Sequence, residues 1–197
     1  MKPLSVVMTA TLLAFATTAL PSAGASVKTQ LNPKIDFASL KTFAWRTPPG
    51  EVKIWITKES AAREEPTRRQ YEPVLMAAVE TELTKRGYSK ASGSPADFDL
   101  AYYVLISTGT AAQTAGSFLD FNAQFGIPLF APQTVSLQVY PQGSIVLDAA
   151  LPGGPMIWRG IVEAKVETVA SETERSKRVR GFMKDVVAKF PKPEKKK

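Results

Sequence analysis

Asp97-Phe98-Asp99-Leu100-Ala101-Tyr102-Tyr103-Val104-Leu105-Ile106-Ser107 is the stretch that decides the fold. Side chains on a strand alternate between its two faces. Phe98, Leu100, Tyr102, Val104 and Ile106 therefore form one face, and Asp99, Ala101, Tyr103 and Leu105 the other. Upstream, Tyr71, Leu75, Val79 and Leu83 recur every four residues with Val74 and Ala78 beside them, which is one face of a helix. Pro73 suits the first turn of that helix, where a missing N–H costs nothing. Thr67 and Gln70 have capping-box spacing and offer an earlier start, which would leave Pro73 to kink the helix. Residues 58–70, charged and broken by Pro66, read as an exposed connection. Gly87 follows Lys85 and Arg86 as a C-terminal glycine follows basic side chains at the negative end of a helix dipole.

Outward from this pair the same two periods recur. Phe43 and Trp45 share a strand face. Pro48-Pro49-Gly50 predicts a turn into a second short strand over Val52, Ile54 and Ile56. Residues 26–33 read as a polar lead. Val135, Leu137 and Val139 alternate in a further strand, Pro141-Gln142-Gly143 turns the chain into Ser144–Ala149, and Pro152-Gly153-Gly154-Pro155 turns it again. A long strand follows from Met156 to about Val169. It carries Met156, Trp158, Val162, Ala164 and Val166 on one side and mostly Arg159, Glu163, Lys165 and Glu167 on a solvated side. Ser171 and Glu174 form a capping box. Val179, Phe182, Met183, Val186, Val187 and Phe190 then make a second amphipathic helix, stopped by Pro191. These elements predict an α+β two-layer sandwich: a meander, mostly antiparallel sheet with two helices packed on one face. The single domain is expected over 34–190, and 191–197 as a disordered basic tail.

The first 25 residues read as a secretory signal. Lys2 precedes an uncharged stretch from Leu4 to Leu20, Pro21-Ser22 breaks it, and Ala23-Gly24-Ala25 supplies small residues before a cleavage site. The stretch is too short and Thr-rich for a comfortable span. The mature chain is thus expected to begin near Ser26, without a transmembrane span, in the periplasm or outside the cell.

The 197-residue chain has 25 Lys+Arg, 18 Asp+Glu, no His and no Cys. The two absences exclude a Ser-His-Asp triad, imidazole acid–base chemistry, disulfides and thiolate sites. The net charge of +7 is uneven, because residues 172–197 hold ten basic and four acidic side chains.

Several motifs together resemble a known family. They are Asp36-Phe37 with Lys41-Thr42-Phe43-Ala44-Trp45, the helix end Leu83 to Gly87-Tyr88, and Ala96-Asp97-Phe98-Asp99-Leu100. Gly143-Ser144-Ile145-Val146-Leu147-Asp148, Met156-Ile157-Trp158-Arg159-Gly160 and the closing Phe190-Pro191 complete the set. The chain resembles the domain of unknown function family 4136 over roughly residues 34–191. The resemblance implies an exported α+β domain of the Gram-negative envelope with no catalytic residues to carry over. Many members carry a lipidated Cys, which this chain lacks.

Candidate sites follow from residue chemistry. Arg159 in Trp158-Arg159-Gly160 is either an anion fork or an ion-pair partner beside a packed Trp158, with Gly160 permitting a bulge or close packing. Asp97, Asp99 and Asp148 are the carboxylates to weigh for glycan hydrolysis. Residues 108–133 are long, almost uncharged and aromatic, so Phe118, Phe121, Phe125 and Phe130 are candidate partner contacts. Arg175, Lys177, Arg178 and Arg180 are candidate contacts to an anionic surface. No cofactor, metal ligand or catalytic residue is identified, and no nucleic-acid partner is expected. The leading expectation is a non-enzymatic envelope binding or accessory domain acting on an unknown envelope protein or lipid. The alternatives are a carboxylate glycan hydrolase and a carrier of a small hydrophobic molecule held between helices and sheet.

Overall fold

The computed structural model describes residues 25–55, 62–92, 95–107, 113–116, 137–140, 143–164 and 171–193. The elements are β1 (Ala25–Leu31), β2 (Thr42–Trp55), α1 (Glu64–Lys85), β3 (Ser89–Lys90), β4 (Phe98–Ser107), β5 (Gln113–Gly116), β6 (Leu137–Tyr140), β7 (Ser144–Ala150), β8 (Met156–Ala164) and α2 (Glu172–Val187). Six strands form one sheet in the order β1-β8-β7-β4-β2-β3, and β5 pairs with β6 in a separate two-stranded sheet. β1–β8, β8–β7 and β7–β4 are antiparallel, while β2 runs parallel to β4 and β3. The protein is an α+β two-layer sandwich with both helices on one face.

The alternation in β4 sets that face. Phe98, Leu100 and Tyr102 join Phe43, Leu147 and Trp158 beneath Leu75, Val79 and Leu83 of α1 and Phe182, Met183, Val186 and Val187 of α2 in one buried cluster. α1 ends in a Schellman motif. Tyr88 N–H donates to the Leu83 carbonyl (3.1 Å) and Gly87 N–H to the Thr84 carbonyl (3.0 Å). Gly87 sits at φ +102, a left-handed conformation that glycine adopts without strain. The expected capping box opens α2: Ser171 N–H donates to Glu174 Oε2 (2.9 Å) and Glu174 N–H to Ser171 Oγ (3.3 Å).

Four expectations change. The polar lead is a strand: β1 closes the sheet edge against β8, with Lys28 Nζ on Glu163 Oε1 at 2.8 Å. Pro48-Pro49-Gly50 does not reverse the chain. Both halves of β2 run parallel to β4, with an irregularity between Trp45 and Gly50. Proline is tolerated there because β3 pairs only with Thr42 and Phe43, so beyond them β2 has a neighbour on one side among the described residues. A Cβ at Gly50 would overlap the Tyr102 backbone and ring. The parallel β2–β4 pair needs a crossover, which α1 supplies, so the sheet is no simple meander.

α1 also starts earlier than either reading, at Glu64, with Pro66 in its first turn and Pro73 inside. Glu64 and Glu65 suit the positive end of the helix dipole. Glu65 also accepts from Arg68 Nη2 (2.8 Å) and Arg69 Nε (3.0 Å), one turn on.

The fourth change concerns the second face of the sheet, which is not wet at its centre. Ala101, Tyr103, Leu105, Val146 and Ile161 form a second buried cluster. β4 and β7 carry apolar residues in runs, Tyr102 to Ile106 and Ile145 to Leu147, as strands covered on both faces do.

Below the range in which tyrosine ionises, stability should depend on pH through the carboxyl groups; the raised Tyr88 and Tyr102 phenols add a loss at strongly alkaline pH. Hydrogen bonds from Arg68 and Arg69 hold the Glu65 carboxyl down to about 2. Backbone N–H donors from Lys41 and Thr42 lower Asp97, and Ser171 lowers Glu174. Desolvation raises Asp99, the one opposing carboxyl among these. Groups lowered on folding contribute stability that is complete above their unfolded values and lost as pH falls through their folded values. Thermal melts followed by circular dichroism should show Tm falling from about pH 5 towards about pH 2. No step should appear near neutrality, where imidazole ordinarily titrates and this chain has none.

Candidate functional site

The two helices do not cover the whole sheet. Towards the end where β4 finishes and β7 begins, they leave a cleft of about 470 Å³. Its floor is Tyr102, Val104 and Ile106 of β4 with Ile145 of β7 and Ala164 of β8. Tyr71 and Leu75 of α1 form one wall, and Val179 and Phe182 of α2 the other. The rim is polar and includes Arg63, Gln70, Glu72, Arg175 and Arg178. A largely apolar concavity with a few convergent polar groups is the usual form of a small-molecule site.

The polar groups are fixed by the elements that carry them. Tyr102 faces the helices because of the β4 alternation, and a buried phenol needs a partner. Its hydroxyl donates to Glu72 Oε2 at 2.6 Å, and Arg68 Nη1 lies 3.4 Å from the same oxygen. Burial, followed by the hydrogen bond to the anionic Glu72, pushes the Tyr102 phenol well above its ordinary range, so it stays a donor. One turn before Leu75, the Tyr71 hydroxyl is buried with no hydrogen-bond partner among the described residues. An unsatisfied buried hydroxyl costs about 1–3 kcal/mol. A ligand atom that paired with it would recover that cost. Arg178 lies 5.8 Å from the centre of the Phe182 ring, which holds its guanidinium against the apolar wall.

The chain belongs to the DUF4136 family. The family model, described as "Domain of unknown function (DUF4136)", matches residues 27–192. No curated protein matches. Among solved structures, a PDZ domain protein from Parabacteroides distasonis is similar at 15% identity and a TM-score of 0.47, over 85% of this chain and 36% of that one. A PelC dodecamer from Paraburkholderia phytofirmans is similar at 8% identity and a TM-score of 0.39, over 83% of this chain and 96% of that one. At these values neither likeness bears on what the DUF4136 chain does.

The motifs of this DUF4136 domain serve its packing. Arg159 and Asp148 sit opposite each other on β8 and β7. Arg159 Nε and Nη2 donate to the two Asp148 oxygens, each at 2.6 Å. The pair is buried on the second face, with Arg159 3% and Asp148 1% exposed. The expected pairing is present, and the expected wet surroundings are not. Trp158 lies on the opposite face, and its indole crosses over Gly160, where a Cβ would overlap both Trp158 and Val186. Close approach is thus the use of this glycine.

Asp97 and Asp99 do not form a carboxylate pair at a cleft. Asp97 accepts from Lys41 N–H (2.8 Å), Thr42 N–H (2.7 Å) and Thr42 Oγ1 (2.9 Å), tying the start of β4 to β2. Asp99 is half-buried. Neither lines the cleft. Among the described residues no group of three acidic side chains is placed to hold a metal.

The basic residues divide. Arg175 and Arg178 line the cleft, while Lys177 and Arg180 are exposed. Phe118, Phe121, Phe125 and Phe130 lie outside the described residues. Tyr71, Glu72 and Tyr102 were absent from the sequence-based candidates. The available signal was chemical: two tyrosines on faces otherwise read as apolar core, each with a hydroxyl to place.

Proposed function

We propose that this domain is an exported, non-enzymatic binding domain of the cell envelope and that its ligand site is the cleft between α1, α2 and the sheet. The observation that carries the reading is the cleft: apolar floor and walls, a rim of fixed polar groups, and a buried Tyr71 hydroxyl within it. Export rests on the signal-like Met1–Ala25 segment, whose removal leaves Ser26 to Leu31 for the edge strand β1. The same segment supports a periplasmic location. Phe118, Phe121, Phe125 and Phe130 then supply contacts to an envelope partner, and Lys177, Arg180 and the lysine tail attract anionic surfaces. The glycan-hydrolase alternative has less support, because the oxygens of Asp97 and Asp148 already serve structural hydrogen bonds.

Val179→Trp places a bulky ring in the cleft from a half-buried helix position. The wild type should enhance the fluorescence of N-phenylnaphthylamine, an apolar probe. The variant should bind that probe about tenfold more weakly, a loss of about 1.4 kcal/mol, with its circular dichroism melt retained. A folded variant that binds the probe as the wild type does would remove the cleft as the site.

A further inference from the structure

We infer that the cleft takes a single-chain anionic amphiphile, a carboxylate or phosphate head on one apolar tail, with the head at the rim formed by Arg63, Arg175 and Arg178. This rests on the reading of the cleft as a ligand site and adds the class of ligand.

Charge is the first ground. The described cleft lining holds three guanidinium groups, Arg63, Arg175 and Arg178, against one carboxylate, Glu72. Glu72 already accepts the Tyr102 hydroxyl and faces Arg68, so its charge is spent within the protein. Arg175 and Arg178 also interact within the chain, and their charge acts on the cleft through space. Charges of one sign around a low-dielectric concavity focus the field on a ligand of the other sign.

The helices reinforce this. Arg63 is the N-cap of α1 and Arg175 lies in the first turn of α2, so the positive ends of both helix dipoles border the cleft. Of the acidic side chains in those turns, Glu65 is held by Arg68 and Arg69, Glu174 closes the capping box on Ser171, and Glu64 and Glu172 do not line the cleft.

Shape and polarity supply the second ground. The floor and walls from Leu75 to Val104 and Val179 offer an apolar bed, and about 470 Å³ lies in the ~300–1,000 Å³ range of small-ligand sites. The Tyr71 hydroxyl, buried without a partner among the described residues, provides a donor for a head-group oxygen. Arginine forks suit carboxylate and phosphate oxygens alike.

The test is displacement of N-phenylnaphthylamine from the full chain by dodecanoate, dodecyl phosphate and dodecyltrimethylammonium, each below its micelle-forming concentration. One or both anions should displace the probe at least about tenfold more tightly than the cation of equal tail length. Arg175→Gln with Arg178→Gln should cut that preference to about threefold or less while the melt is kept, and Tyr71→Phe should weaken the preferred anion alone. Relative affinity for the carboxylate and the phosphate separates the two head-group sources. Equal displacement by anion and cation overturns this inference and leaves the cleft reading standing. An undiminished preference in the double variant overturns the assignment of the rim. A wild type that never binds the probe removes the cleft reading itself.

Discussion

Phe190→Ala should lower the unfolding free energy by about 3–5 kcal/mol, the cost of deleting a buried aromatic and leaving its cavity. Phe190 is 1% exposed and lies just beyond α2, where four rings meet it. It is edge-on to Phe37 (5.7 Å), Tyr88 (5.4 Å) and Trp158 (4.9 Å), and stacked on Phe98 (5.5 Å). Each well-oriented aromatic pair contributes about 0.5–1.5 kcal/mol beyond its area. The same junction is tied through the backbone. Arg86 Nη2 donates to the Phe190 carbonyl, and Tyr88 Oη donates to the Pro191 carbonyl at 3.1 Å. Phe190 thus joins the end of α2, the turn after α1 and the sheet. For a chain of this size the loss should appear as a fall in Tm of roughly 6–20 °C. Urea unfolding measures it directly. Phe190→Leu, which keeps most of the volume, should retain most of the stability. A loss below about 1 kcal/mol for Phe190→Ala would show that the rings repack without it.

Asp148→Ala should be equally costly, for a different reason. The change leaves the Arg159 guanidinium buried without its carboxylate, and breaking a buried pair in this way costs about 3–5 kcal/mol. Replacing both members by apolar residues, Asp148→Leu with Arg159→Met, removes the stranded charge and should recover most of that loss. A catalytic carboxylate would behave otherwise: Asp148→Asn would then spare stability and abolish an activity. For a structural pair, Asp148→Asn should instead lower the urea midpoint, because one oxygen of the fork is exchanged for an amide that donates towards a donor. An unchanged midpoint would make Asp148 a chemical candidate again.

Where local chemistry decides an element, it could be read from the residues. The Ser171–Glu174 capping box, the Gly87 end of α1 and the helix-facing side of β4 rest on short-range rules, and all are in place. Gly160 was legible as either a bulge or a point of close packing, and the structure shows the second.

Elements decided by distant neighbours were not legible. Pro48-Pro49 is a turn signal unless the strand lacks a partner on one side, and that depends on how short β3 is. Arg159 looked like a solvent-facing charge and Asp148 like a candidate carboxylate, because each strand alone shows no partner. Only the register of β7 on β8 makes them a pair. The cleft was beyond local reading for the same reason. Tyr71, Tyr102 and Phe182 sit on three elements, and each taken alone is an ordinary core residue.

The most direct measurement is a crystal structure of the full chain grown with a terminally brominated dodecanoate. If the cleft is the ligand site, an anomalous bromine peak should lie within it among Leu75, Val104 and Val179, with the carboxylate directed to Tyr71 and the Arg175–Arg178 rim. A bromine peak elsewhere on the molecule, with the cleft vacant under saturating ligand, would contradict that assignment.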